Sequence, residues 1–257
     1  MSQESSFASW RSYKSFERKV RNSDRFIFDE ETESFLHGVR GSCSKRKMTM
    51  PLGTIFWRAR VGHSWRSADM GHPDFEIPAA LGPKEMKPTP EFAREGRANA
   101  IGIPVLYCAS DSKTAMSEVR PWLDSLISAA RFKIVRDLTL INCSAFHGAT
   151  QTKFYFEEPS KAEIEKCVWG DIDHAYSSPI SPSDSNSDYV PTQILAEVFR
   201  KEGFDGIVYK SLLDKKGQNV AIFDIEDAEL ISCGLYKPSL VRFEFELEDQ
   251  HYVIAKK

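Results

Sequence analysis

Residues 96–122 read GRANAIGIPVLYCASDSKTAMSEVRPW (Gly96–Trp122). Ile101–Leu106 is apolar and β-branched, broken only by Gly102 and Pro104, which predicts a buried strand ending at Tyr107. Ser110, Asp111 and Ser112 supply side-chain oxygens that can cap a helix start, and Pro121 stops the helix that follows. Glu118 then lies near the helix end, a short reach from Tyr107, while Arg97 lies just before the strand. A carboxylate, an aromatic ring and a cation at one strand end are the makings of a cleft for an anionic ligand.

Working outward, Thr54–Arg60 (TIFWRAR) reads as the first core strand, with Phe56 and Arg58 on one face by alternation. The segment from Gly62 to Pro90 is rich in Gly, His and Pro and reads as a long loop, a length usually tied to disorder or function. Phe132–Val135 and Leu138–Ile141 read as further strands, and Tyr176–Asp188 (YSSPISPSDSNSD) as a loop by composition. Pro191 suits a first helical turn, Ile194, Leu195, Val198 and Phe199 make one apolar face, and Gly203 suits the left-handed position after the helix. Ile207–Tyr209 and Val220–Phe223 read as short buried strands, with Ser211 and Asn219 beside them. Val241, Phe243, Phe245 and Leu247 alternate with charged residues and predict a half-exposed strand. Residues 1–50 read as a polar extension packed on the core, with Phe16, Val20 and Phe26 on its inner face, and 51–257 as a single domain. Strands and helices mix without a regular βαβ rhythm, so the class is α+β.

Composition narrows the function. The chain has 257 residues, enough for one sizeable core, and a net charge of −3 that does not favour nucleic acid as a partner. No apolar run is long enough to span a bilayer and the N-terminus lacks the apolar centre of a signal peptide, so a cytoplasmic location is expected. Five scattered cysteines without a Cys-x-x-Cys pair read as reduced, mostly buried thiols, and no metal site is expected. There is no Gly-x-Gly-x-x-Gly after a strand, no Walker loop and no Gly-x-Ser-x-Gly elbow. Trp57, Trp65, Trp122 and Trp169 read either as core or as stacking surfaces for a base, His63 and His72 as loop residues near the cleft, and Arg120 as a phosphate partner or a helix-end charge.

The ordered set FWRAR, GRANAIGIPVLYCAS with TAMSEVRP, and YVPTQILAEVFRKEGFDGIVYKS with GQNVAIFD resembles the RES domain family, named for its Arg, Glu and Ser. The resemblance runs from about Thr54 to Phe223 and matches Arg58, Glu118 and Ser211 to those three residues, with Arg97, Tyr107 and Asn219 at further motif positions. Members paired with an antitoxin usually carry Gly-Gly-Arg-Trp-Asn, where this chain has Glu95-Gly96-Arg97-Ala98-Asn99. What the resemblance implies is a fold similar to ADP-ribosyltransferases and an activity on NAD+. The expected reaction is cleavage of the nicotinamide–ribose bond by hydrolysis or phosphorolysis, in a toxin-like role. The alternatives are mono-ADP-ribosyl transfer to a protein and a catalytically silent module that binds NAD+ or ADP-ribose. Glu118, Arg58 and Ser211 are the expected catalytic residues, and Arg97, Tyr107 and Asn219 the expected substrate-binding ones. In that assignment Glu118 serves the ribose and its developing charge, and Arg58 and Arg97 the pyrophosphate. Tyr107 packs on nicotinamide or ribose, and Ser211 and Asn219 hydrogen-bond to the same half. NAD+ is substrate, with no tightly bound cofactor. The partners that the resemblance admits are an antitoxin or immunity protein and a second copy of the chain.

Overall fold

The computed structural model describes residues 7–68, 75–146, 159–178, 186–214, 216–242 and 244–245. In chain order its elements are α1 (Ser12–Asn22), α2 (Glu30–Cys43), β1 (Lys47–Met50), β2 (Ile55–Val61), β3 (Ser64–Ser67), β4 (Glu76–Ala79) and α3 (Pro83–Met86), then β5 (Leu106–Ala109), α4 (Ser112–Glu118), β6 (Ile127–Ile134) and β7 (Leu138–Asn142). The chain continues through α5 (Lys161–Ser177), α6 (Val190–Lys201), β8 (Gly206–Lys210), β9 (Gln218–Ile222) and β10 (Ala228–Tyr236).

Eight strands form one sheet in the order β1-β7-β8-β9-β5-β2-β6-β10, and β3 and β4 form a separate hairpin. Pairing is antiparallel except between β7 and β8. A parallel pair needs a long crossover, and α5 and α6 lie within it. The architecture is mixed α+β. One feature of the register builds the site. β2 pairs with β6 along its whole length, and β5 pairs with β9 over all four of its residues, but β2 and β5 meet only at Trp57 and Ala109. The sheet is therefore seamed between β5 and β2.

Helices α1, α2, α5 and α6 cover one part of the sheet through a core that includes Tyr13, Phe16, Leu36, Trp169, Tyr176, Phe199 and Ile207. A second core runs through Phe56, Leu106, Phe132, Leu140, Val208 and Ile222. The third is small and alanine-rich: Ala59, Ala109, Ala129 and Ile127 from the strands and Ala115 from α4. Short side chains on these strands let the helix approach the sheet closely, beside the seam.

Several expectations hold. Asp111 caps α4 by accepting from the Thr114 N–H at 2.9 Å. Pro191 lies in the first turn of α6, and Gly203 takes φ +83° beyond its end. Four cysteines are buried and Cys233 is half-buried, all as free thiols. Other expectations are corrected. Ile101–Val105 is not strand: Gly102 takes φ +81°, Ile101 is exposed, and β5 starts only at Leu106, so Tyr107 is its second residue and not its end. The stretch from Gly62 to Pro90 holds β3, β4 and α3 rather than loop alone. Phe26 is 93 % exposed and lies beyond the end of α1, so it is not part of that helix face. Val241, Arg242, Glu244 and Phe245 belong to no strand, and Phe243 and Leu247 lie outside the described residues. Tyr176 and Ser177 belong to α5, while the middle of the Ser-rich segment lies outside the described residues. No helix among the described residues is long and apolar enough to cross a membrane.

Candidate active site at the sheet seam

Where β2 and β5 separate, a cavity of about 300 Å³ opens, lined among others by Trp57, Arg58, Tyr107, Cys108, Glu118, Tyr209 and Asn219. Arg58 enters from β2. Its Nε donates to the Met86 carbonyl and its Nη1 to the Tyr107 carbonyl, both at 2.9 Å. The guanidinium thus takes over a main-chain carbonyl of β5 at the place where the strand ladder has stopped. Burial pushes its pKa down, the signature of a desolvated cation, and among the described residues no carboxylate forms an ion pair with it. A desolvated positive group facing a cavity is a site for an anion.

Glu118 enters from the last turn of α4, and its partners come from the β8–β9 hairpin. Ser211 Oγ and Asn219 Nδ2 both donate to Glu118 Oε1 at 2.7 Å. Ser211 follows β8 and Asn219 lies in β9, and both are buried. Oε2 accepts no hydrogen bond from the described residues. One oxygen of the carboxylate is therefore fixed by the protein, and the other has no donor among the described residues.

Tyr107 is locked rather than loose. Its hydroxyl donates to Asn99 Oδ1 at 2.7 Å and accepts from the Ala98 N–H at 2.8 Å. Burial raises its pKa, so the phenol stays neutral, and the residue forms part of the cavity lining. Cys108 also lines the cavity, but burial pushes its thiol up to about 12 against the opposing pull of Arg58, so it is a neutral wall and not a nucleophile. Tyr209 is likewise raised to about 12 by burial.

The structure thus brings Arg58, Tyr107, Glu118 and Asn219 to one cavity, with Ser211 bonded to Glu118. Arg97 is set apart. It donates through Nη1 to the Tyr176 carbonyl at 2.5 Å and through Nη2 to the Ser178 carbonyl, which places its charge on the C-terminal end of α5. It also lies 5.9 Å from the centre of the Tyr209 ring. Ser211 spends its one hydroxyl donor on Glu118, and Asn219 one of its two amide N–H groups. Sequence reasoning passed over Tyr209, although it sits two residues before Ser211 and so shares its side of the strand, a signal legible from alternation. Trp57 lines the cavity, Trp169 is core, and Trp65 and Trp122 are exposed. His63 packs its ring on Trp65 at 4.9 Å, and His72 lies outside the described residues. Arg120 is exposed, with φ +45°. Among the described residues no cluster of His, Cys, Asp and Glu is placed to hold a metal ion.

The family model of the RES domain matches residues 55–242. The chain belongs to the RES domain family. Arg58 and Glu118, both inside the matched range, line the seam cavity together, and Ser211 is hydrogen-bonded to Glu118. Among solved structures, a chain of the M. tuberculosis MbcT–MbcA toxin–antitoxin complex is similar at 13% identity and a TM-score of 0.42, covering 79% of this chain and 93% of that one. No curated protein sequence matches.

Proposed function

We propose that this RES-family protein cleaves the nicotinamide–ribose bond of NAD+. The observation that supports the reading best is the juxtaposition of a desolvated guanidinium, Arg58, and a carboxylate held on one oxygen, Glu118, in a single cavity. The dinucleotide has the matching chemistry. Its pyrophosphate is anionic and suits a guanidinium. Its nicotinamide leaves as a neutral molecule, taking the electron pair of the broken C–N bond, so little acid help is needed. What remains is a ribosyl cation, and a transition state resembling an oxocarbenium ion is stabilised by fixed negative charge. In this reading Glu118 Oε2 faces the ribose while Ser211 and Asn219 hold Oε1. The ring of Tyr107 packs on the nicotinamide riboside half, and Arg58 takes the phosphates. Arg97 serves by tying the end of α5 beside Tyr209. The fold likeness to ADP-ribosyltransferases, the toxin-like role and an antitoxin partner belong to the same reading.

The ribosyl cation can be captured by water, by phosphate or by a protein side chain, with loss of one proton from the attacking oxygen or nitrogen where it carries one. The test follows free nicotinamide from NAD+ with and without phosphate, and label retained on protein. Free ADP-ribose identifies hydrolysis, phosphate dependence identifies phosphorolysis, and retained label identifies transfer. Glu118→Gln removes the charge while keeping the shape and is expected to slow release by ~10²-fold. Parental rates in that variant, or tight NAD+ binding with no nicotinamide release by the parent, would refute the reading.

A further inference from the structure

Helix α4 touches the β8–β9 hairpin at both of its ends. At its last turn Glu118 meets Ser211 and Asn219. At its first turn Thr114, fully buried, meets Gly217. A Cβ at Gly217 would lie 2.2 Å from Thr114 Oγ1 and 2.6 Å from its Cγ2, distances that no side chain tolerates. The backbone of the hairpin therefore lies directly on the threonine.

Hydrogen bonds close the same contact. The Thr114 hydroxyl donates to Asp111 Oδ2 at 2.7 Å and faces Asp214 Oδ2 at 3.4 Å. Ser110 exchanges bonds with Gln218: its N–H donates to the Gln218 carbonyl at 2.9 Å, and its Oγ accepts from the Gln218 N–H at 3.2 Å. Asp214 donates its N–H to Ser211 Oγ at 3.2 Å, so the hydroxyl that serves Glu118 is itself oriented by the hairpin turn.

We propose that the packing of Thr114 on Gly217 is a positioning latch that sets the hairpin against α4, so that Ser211 and Asn219 reach Glu118 Oε1. Neither Thr114 nor Gly217 lines the cavity; the latch acts through Glu118, Ser211 and Asn219. Its effect on turnover rests on the reading of Glu118 given above, whereas its effect on geometry does not.

The test compares Gly217→Ala, Thr114→Ala and the double variant, each by crystal structure and by kcat and KM for nicotinamide release. Gly217→Ala is expected to break the Ser211–Glu118 bond, to beyond about 3.5 Å, and to lower kcat by at least about tenfold with KM within about twofold. Thr114→Ala removes the support without adding a clash and is expected to lower kcat about threefold. The double variant removes the two nearest atoms, Oγ1 and Cγ2, leaving the Cβ at 3.0 Å, and is expected to recover part of the loss seen in Gly217→Ala, a coupling that independent sites do not show. An intact Ser211–Glu118 bond with parental kcat in Gly217→Ala overturns the latch, as does a folded double variant no better than Gly217→Ala. Should Gly217→Ala not fold, Thr114→Ala decides, with unchanged kcat and distance overturning the proposal. A parent that releases no nicotinamide refutes the proposed reaction, and the crystallographic arm then decides the latch alone.

Discussion

Glu118 Oε1 collects two donors from residues 93 and 101 positions away in the chain. That distance explains what the sequence could and could not reveal about the site. The residue types were legible, because Arg58, Glu118, Tyr107, Ser211 and Asn219 each fall at a motif position beside a strand or helix. Their partners were not. Nothing in the spacing says that a serine and an asparagine will spend their hydrogen bonds on the glutamate. Nor does it say that Arg97 will turn to carbonyls 79 and 81 positions on. At Arg58 the geometry makes a sharp expectation. Lysine keeps the charge but cannot hold the carbonyls of Met86 and Tyr107 with two nitrogens at once. Arg58→Lys is expected to raise KM for NAD+ about tenfold, as loss of one charged hydrogen bond would, with a smaller change in kcat. Steady-state kinetics check this, and an unchanged KM would remove Arg58 from ligand binding.

Elements were read best where local chemistry alone decides them. The cap at Asp111, the proline at the start of α6 and the glycine after it are local signals, and the structure has each in place. Elements decided by tertiary packing were missed. α5 buries Val168, Trp169, Ile172, Asp173 and Tyr176, a set too broad for one clean stripe, although its capping box, Ser160 with Glu163, was there to be read. β10 lies at the sheet edge with an irregular register between Leu230 and Ser232, and its burial alternates only over its first four residues. Ile101–Val105 failed in the other direction: its apolar residues promised a strand that Gly102 and Pro104 do not permit. The C-terminus of α6 gives a clean stability test. Nothing would touch a Cβ at Gly203, so Gly203→Ala isolates the backbone cost of φ +83°. The expected loss is about 1–2 kcal/mol, read as a lower denaturation midpoint with unchanged slope.

The whole molecule depends on its N-terminal helices as well as its sheet. Tyr13, Phe16, Val20, Phe35, Leu36 and Val39 share one core with α5 and α6. The connection between α1 and α2 is tied by Lys19, which pairs with Asp29 and Glu31 at 2.5 Å each. The hydrogen bond from Lys19, with those from Thr32, lowers the Asp29 pKa to about 2. A carboxyl whose folded value is depressed contributes stability above its unfolded value, about 4, and loses that contribution as pH falls through the folded value. Thermal melts of the parent should therefore fall between about pH 4 and pH 2 more steeply than those of Asp29→Asn. Parallel curves would show that this exposed pair does not report on folding.

The single point of pairing between β2 and β5 has one more consequence. A dinucleotide lying across that gap would act as the missing rungs of the ladder, bridging Arg58 on one side to Glu118 and Asn219 on the other. An uncleavable NAD+ analogue at a hundred times its dissociation constant should then stabilise the fold by about 2.7 kcal/mol. Amide exchange should slow most along the two strands flanking the gap, an effect that attachment elsewhere on the surface would not produce.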